Sequence, residues 1–462
     1  MRVRLTSLLL CALTAGCTVG PDYEPPVVES PEDFQQRIES GESLANVYWF
    51  DLFQDEQLRN LINIALVESK DLAIATARVE ETRARLGIVR ADQFPQVGVA
   101  AGATRGNSAE QFFPGSGVQN NFALSAEVAF ELDLFGRLRR STEAARAELL
   151  ASEESRRVVL ISLIADVAGT YFLLLDLDQR YQVAARTLVA RQGSTRIIRA
   201  RFAHGTIPMI DVNQAEIQEA DAAASLAAFE RQRIQAENLV SVLLGRNPGP
   251  ITRGAALPEQ VLTPDVPAGL PAQLLERRPD IRAAERSLAA QTARIGAAKA
   301  TRFPTISLTG SGGYNSTEFD NLLDSDVSLW NLGVNILAPI YDAGRNRSRQ
   351  EAEIALTEQL LRQYEFTVLQ AFREVEDALV GVRTLRDEMN AREMQVVAAR
   401  SAAFLSRARY DGGVTSFLEV LDAERSLFDA EIATSAARRA QLVAVVELYK
   451  ALGGGWVPAA AE

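Results

Sequence analysis

The chain has 462 residues, 47% of them hydrophobic and 23% charged, with a formal net charge of −12 and a single histidine. An acidic surface disfavours nucleic acid as a partner. One histidine, His204, excludes histidine-rich metal sites and His-paired cysteine chemistry, and neither a Gly-x-Ser-x-Gly elbow nor a Walker-type phosphate loop is present, so neither an enzyme nor a metal or organic cofactor is expected.

Arg2 and Arg4 precede the apolar run Leu8 to Leu13 and the small residues Thr14–Ala15–Gly16, which marks residues 1–16 as a signal peptide. The run is too short to span about 30 Å of hydrocarbon. Leu13–Thr14–Ala15–Gly16–Cys17 resembles the bacterial lipobox, so Cys17 is expected to carry a covalent lipid after cleavage. Cys11 lies in the leader and Cys17 is then the sole cysteine of the mature chain, which excludes an intramolecular disulfide. Loss of Arg2 and Arg4 leaves 46 basic against 60 acidic side chains, a formal −14. The next segment, 17–50, contains Pro21, Pro25, Pro26 and Pro31 and reads as an extended lipid-anchored tail. Beyond the leader no run of 18 or more apolar residues stands out, so no transmembrane helix is expected.

Four segments alternate with a period of two. Gln96 to Thr104 and Asn121 to Asp133 form a first expected hairpin (95–133), and Thr305 to Tyr314 and Ser328 to Ile340 a second (304–340). In the second strand Phe122, Leu124, Ala126, Val128, Phe130 and Leu132 fall on one face and Asn121, Ser125, Glu127 and Glu131 on the other. These lengths suit tilted membrane strands of about 9–11 residues, and the polar connections near 105–120 and 315–326 suit exposed loops. Elsewhere, long Ala-, Leu-, Arg- and Glu-rich stretches predict helices.

Landmarks recur at a fixed spacing. Asp71, Arg85, Gly87, Phe94 and Pro95 match Asp280, Arg294, Gly296, Phe303 and Pro304 at an offset of 209. Gly136–Arg137, Gly205 and Leu244–Gly245 match Gly344–Arg345, Gly413 and Leu452–Gly453 at 208. The chain is a tandem duplication, with structural repeats at 51–262 and 263–462. Each descending helix, Gly136 to Gly205 and Gly344 to Gly413, covers 69 residues, about 100 Å at 1.5 Å per residue. The expected fold is an α+β membrane channel of long antiparallel helices and four strands. Four strands cannot close a barrel and an open edge is not tolerated in lipid, so the strands must be shared among copies. A barrel wide enough for a water-filled lumen wants at least three subunits.

Leu274–Leu275–Glu276–Arg277–Arg278–Pro279–Asp280–Ile281, Ala284–Glu285, Ile295–Gly296, Phe303–Pro304, and Cys17–Thr18–Val19–Gly20–Pro21–Asp22–Tyr23 with Trp49–Phe50 carry a resemblance. Over nearly its whole length the chain resembles the outer membrane factors, the TolC-like channels of tripartite efflux systems, in their lipidated branch. The resemblance implies a homotrimer with a twelve-stranded barrel in the outer membrane of a Gram-negative bacterium and a helical tunnel through the periplasm. It also implies a periplasmic adaptor and an inner-membrane transporter, of the resistance-nodulation-division type, as partners beside the outer-membrane lipids. The implied function is passive export of drugs or other small solutes; type I protein secretion and a poreless coiled-coil scaffold are the alternatives.

The turns at 203–212 and 411–420, farthest from the strands, are the expected functional region. Each reads as a glycine that ends one helix, a Thr or Ser that caps the next, and an acid at the new N-terminus. The resemblance makes Gly205, Thr206, Ile207, Gly413, Val414, Thr415 and Ser416 an adaptor-docking tip. It also makes Glu419, Asp422, Tyr410 and Asp211 a gate, with Tyr410 hydrogen-bonded to Asp211 and with Thr415 standing where some relatives carry a basic latch residue. Glu419 and Asp422, at i and i+3, share a helix face. Around a three-fold axis they would form stacked carboxylate rings that attract cations.

Overall fold

The computed structural model describes residues 18–31, 34–35, 49–107, 118–261 and 271–454, with the side chains of 51, 271–273 and 325 left aside. Cys17 and the leader lie outside the described residues. In chain order the elements are α1 (Trp49–Leu52), α2 (Glu56–Glu68), α3 (Lys70–Ala91), β1 (Gln96–Asn107), β2 (Val118–Leu132), α4 (Arg137–Ala203) and α5 (Met209–Leu243). They continue as α6 (Pro271–Arg277), α7 (Pro279–Ala300), β3 (Thr305–Ser316), β4 (Ser328–Leu337), α8 (Arg345–Asp411) and α9 (Phe417–Ala451). The duplication is visible in the lengths: α3 and α7 have 22 residues each, α4 and α8 have 67, and α5 and α9 have 35.

The compact units are not the sequence repeats, because α4 and α8 are unbroken and pass from one unit to the other. One unit comprises residues 1–28, 78–153 and 283–365, the other 29–77, 154–282 and 366–462. Each therefore takes pieces from both repeats.

In the first unit the four strands form one antiparallel sheet in the order β1-β2-β3-β4, so the two hairpins are joined through β2 and β3. The register aligns Val97, Val128, Gly310 and Leu332 in one row, and Gly98, Glu127, Ser311 and Asn331 in the next. One face is thus apolar and the other polar, as the period of two requires. A Cβ on Gly310 would lie 2.9 Å from Val128 Cγ1 and 3.1 Å from Leu332 Cδ2, so the neighbouring side chains already cover that position. Val97, Trp330, Leu332 and Val334 are largely exposed, and β1 and β4 keep unpaired edges among the described residues.

Residues 18–23 are strapped along the helical part of this unit. The Val19 amide donates to the Phe135 carbonyl at 3.2 Å. Asp22 pairs with Arg140 at 2.6 Å, a guanidinium that also holds Glu143, and the Tyr23 hydroxyl donates to Glu285 at 3.3 Å. Gly20, at φ +113°, lies directly on Gly296, and a Cβ there would come within 2.4 Å of Gly296 Cα. Its repeat counterpart Gly87 faces open space. The duplication supplies the glycine; only the strap uses it.

The second unit is helical. Contrary to the reading of the sequence, α4 does contain an 18-residue stretch apolar enough to cross a membrane, at a mean hydropathy of 2.2. Just over half of that stretch is buried inside the protein: Leu163, Val167, Tyr171, Phe172 and Leu174 pack in a core with Leu52, Phe53, Leu58 and Ile62. Within that core the Asp55 carboxylate caps α2 through the Gln57 and Leu58 amides at 2.8 and 3.3 Å. It also accepts from the Tyr171 hydroxyl at 3.0 Å and the Gln260 amide at 2.6 Å. Arg278, from the Arg277–Arg278–Pro279–Asp280 motif, pairs with Asp280 and Glu374, each at 2.7 Å, and donates to the Ala451 carbonyl at 2.8 Å. The motif therefore ties the start of α7 to α8 and to the end of α9.

Replacing Asp55 with Ala would leave the buried Tyr171 phenol without its acceptor, leave the Gln260 amide with only the Ala255 carbonyl, and uncap α2. The expected cost is about 3 kcal/mol, read as a fall in the thermal melting midpoint with little change at Glu56→Ala one residue on.

Candidate functional site

The two turns expected from the sequence are at the ends of α4 and α8, within the second unit. Gly205 and Gly413 have φ of +72° and +73°, the left-handed conformation in which a helix can reverse at low cost to glycine. The Gly205 amide donates to Phe202 O and Thr206 N to Arg201 O; Gly413 N to Tyr410 O and Val414 N to Arg409 O repeat the pattern. Capping differs from expectation in both copies. The Thr206 hydroxyl bonds back to Arg201 O at 2.8 Å, closing the helix it follows, while Pro208 stands at the N-cap of α5. Ser416, at the N-cap of α9, makes no side-chain cap, and the Thr415 hydroxyl donates instead to the Glu419 carboxylate.

A small core holds the turns together. Ile198, Val212, Ala215, Phe417, Val420 and Leu421 are buried, with Ile207 and Tyr410 packed against them. Around it Gly205, Thr206, Gly413, Val414 and Ser416 are exposed, together with Met209, Ile210 and Leu418. Small, β-branched and larger apolar residues thus form an outer surface over a buried apolar base.

The gate residues are brought to this tip, but not in the pairing expected. The Tyr410 hydroxyl is buried with no hydrogen-bond partner among the described residues, and it makes no bond to Asp211 of the same chain. The reason is packing: the ring lies 5.3 Å from Phe417 and beneath the Arg201 guanidinium at 5.1 Å. Glu419 and Asp422 do share an exposed face, and each has a cation the sequence reading missed, Arg409 at 3.3 Å and Arg425 at 2.6 Å. Arg425 could have been read from its i+3 spacing; Arg409, on another helix, could not.

The repeats differ here in an informative way. Arg201 and Asp211 are the counterparts of Arg409 and Glu419 at an offset of 208. Arg201 turns instead toward Tyr410 and Asp411, the latter at 3.9 Å, and Asp211 has no ion pair among the described residues. Deeper in the bundle, burial pushes the Glu424 carboxyl above its ordinary range against the pull of Arg407 and Arg191. Burial also lowers Arg191, which donates to Gln218 O at 2.6 Å. No group of three or more His, Cys, Asp and Glu able to hold a metal occurs among the described residues.

The sequence matches the family described as outer membrane efflux protein over residues 61–246 and 270–454, one match for each repeat. It is 36% identical to outer membrane protein OprJ of Pseudomonas aeruginosa over 460 residues, covering 97% of this chain and 95% of that protein. It is 34% identical to the cation efflux system protein CusC of Escherichia coli over 451 residues, covering 96% and 97%. Among solved structures, the open state of the Neisseria gonorrhoeae MtrE outer membrane channel superposes with a TM-score of 0.85 at 34% identity, covering 95% of this chain and 98% of that one.

Tyr410→Phe deletes a hydroxyl that has no partner among the described residues, so amide hydrogen exchange at the tip is expected to match wild type within about 0.5 kcal/mol. Phe417→Ala empties the tip core and is expected to cost about 3 kcal/mol or more in the same measurement. Faster exchange in Tyr410→Phe would show that the hydroxyl is bonded from outside the chain.

Proposed function

We propose, for a chain that belongs to the outer membrane efflux protein family and is the outer-membrane exit duct of an efflux system, that three copies share one twelve-stranded barrel. The observation that carries this is the sheet: four strands with an exposed apolar face and two edges, at β1 and β4, unpaired among the described residues. Backbone groups on such edges cost several kcal/mol each in hydrocarbon, so β4 of one copy pairs with β1 of the next until the ring closes. The polar rows carrying Glu127, Ser311 and Asn331 then line the lumen.

Cys17 carries the lipid that anchors the strap to the membrane, one residue before Thr18, which packs on Gly136 where β2 passes into α4. The exposed tip receives a periplasmic adaptor, and an inner-membrane transporter of the resistance-nodulation-division type supplies the energy. Drugs or other small solutes are the cargo, and the duct performs no chemistry on it. In the trimer Glu419 and Asp422 face the axis as carboxylate rings, each backed by Arg409 or Arg425. Rings of that kind attract cations at the constriction.

In a planar bilayer the purified protein is expected to form cation-preferring channels that divalent ions block. Glu419→Gln with Asp422→Asn should reverse the preference, because Arg409 and Arg425 lose their counter-charges; unchanged selectivity would exclude the rings, and absence of conductance would exclude the duct. Mass spectrometry of the mature N-terminus should find an acylated Cys17, and Cys17→Ser an unacylated chain whose melting midpoint is unchanged, since no strap bond described above uses the thiol.

A further inference from the structure

We infer that the helix-side rim of the sheet is a docking surface for anionic phospholipid headgroups, an inference that rests on the outer-membrane reading above. The register pairs Gln96 with Ala129, Leu132 with Ile306 and Thr305 with Leu337, so all four strand–helix junctions lie along one edge. The connecting segments 88–95, 131–140, 296–304 and 338–349 hold nine Lys and Arg against four Asp and Glu. The described connection at the opposite edge, 317–327, holds four acids and no base. In a chain whose net charge is −12, this is a strong local inversion of sign.

Part of the basic charge is consumed internally. Arg137 is bound by Glu131 at 2.7 Å, Arg139 by Asp133 at 3.3 Å, and buried Arg140 by Asp22 and Glu143. Arg90, Arg302 and Arg349 are exposed and have no ion pair among the described residues; Arg302 only donates to the Gln350 amide oxygen at 3.1 Å. These are unspent cations, free to take a phosphate.

What selects a lipid surface over an acidic protein is the company they keep. Phe94 is exposed four residues after Arg90, and Ile340 and Tyr341 are more than nine-tenths and nine-tenths exposed just before the Arg345–Arg349 segment. An aromatic and apolar fringe beside arginines is the composition that settles at the boundary between acyl chains and headgroups. Guanidinium groups bind phosphate in bidentate fashion, and each cation near an anionic leaflet adds attraction that salt screens. The rim would therefore hold the channel at a fixed depth and favour phosphatidylglycerol over phosphatidylcholine around the barrel.

The test uses the full acylated oligomer in nanodiscs of mixed phosphatidylglycerol and phosphatidylcholine, with retained lipid read by native mass spectrometry. Wild type should be enriched in phosphatidylglycerol. The preference should fall about fivefold for each charge removed in the series Arg90→Gln, Arg302→Gln and Arg349→Gln, and vanish for wild type in 1 M salt. The matching three Arg→Lys changes should keep most of it, which separates charge from packing. Equal retention of the two lipids by wild type, or a glutamine triple variant indistinguishable from it, overturns the inference; so does a triple variant that keeps the lipid preference and instead loses a protein partner. Bilayer conductance measured on the same preparation reports separately on the duct, since conducting channels without lipid preference would sink the rim alone.

Discussion

Wherever this chain leaves a helix or a strand, the backbone groups set free must be taken up by something other than the next turn of the same element. Most of the architecture follows from how that is done. Glycines at 136, 205 and 245 recur at 344, 413 and 453, all with positive φ, so the same points of departure are written twice. At three of them the backbone is also approached closely, Gly136 by Thr18, whose Cα would lie 3.0 Å from a Cβ there. A Cβ on Gly245 would lie 2.2 Å from the Glu68 carbonyl, at the break between α2 and α3, and one on Gly453 would lie 3.2 Å from Arg278, at the break between α6 and α7. Each repeat thus seats the end of its last helix on the interruption of its broken one.

Where glycine does not suffice, a side chain intervenes. Arg278 takes the Ala451 carbonyl while two carboxylates compensate its charge, and Asp55 takes the first amides of α2 while two further donors complete its shell. Both are buried polar groups that would be costly if partly satisfied and are stabilising because they are fully satisfied. The sheet obeys the same rule at a larger scale. Its internal rungs are complete, and its two outer edges have no partner among the described residues.

The duplication also shows how identical halves acquire different roles. Gly87 and Gly296 are counterparts, yet only Gly296 is covered by the strap. Arg201 and Arg409 are counterparts, yet one lies over Tyr410 and the other faces Glu419. In each case a single-copy feature, the N-terminal strap or the tyrosine that stands where the first repeat has Phe202, breaks the symmetry. The tip is the place where that difference falls on charged groups.

The sequence by itself determined the strands, the repeat, the helix lengths and the position of both turns. These depend on periodicity, glycine placement and spacing, which are local or repeat along the chain. The sharing of faces by Glu419 and Asp422 was legible for the same reason. What the tertiary structure decided was which groups from distant segments meet: Arg409 with Glu419, Tyr410 with Phe417 rather than Asp211, Gly20 with Gly296, and Arg278 with the end of α9. It also decided that the most apolar stretch of α4 contributes to a protein core, which composition cannot distinguish from a membrane span because both are simply low in charge. Such contacts follow from the packing of helices whose partners lie tens to hundreds of residues away, and no spacing within one segment encodes them.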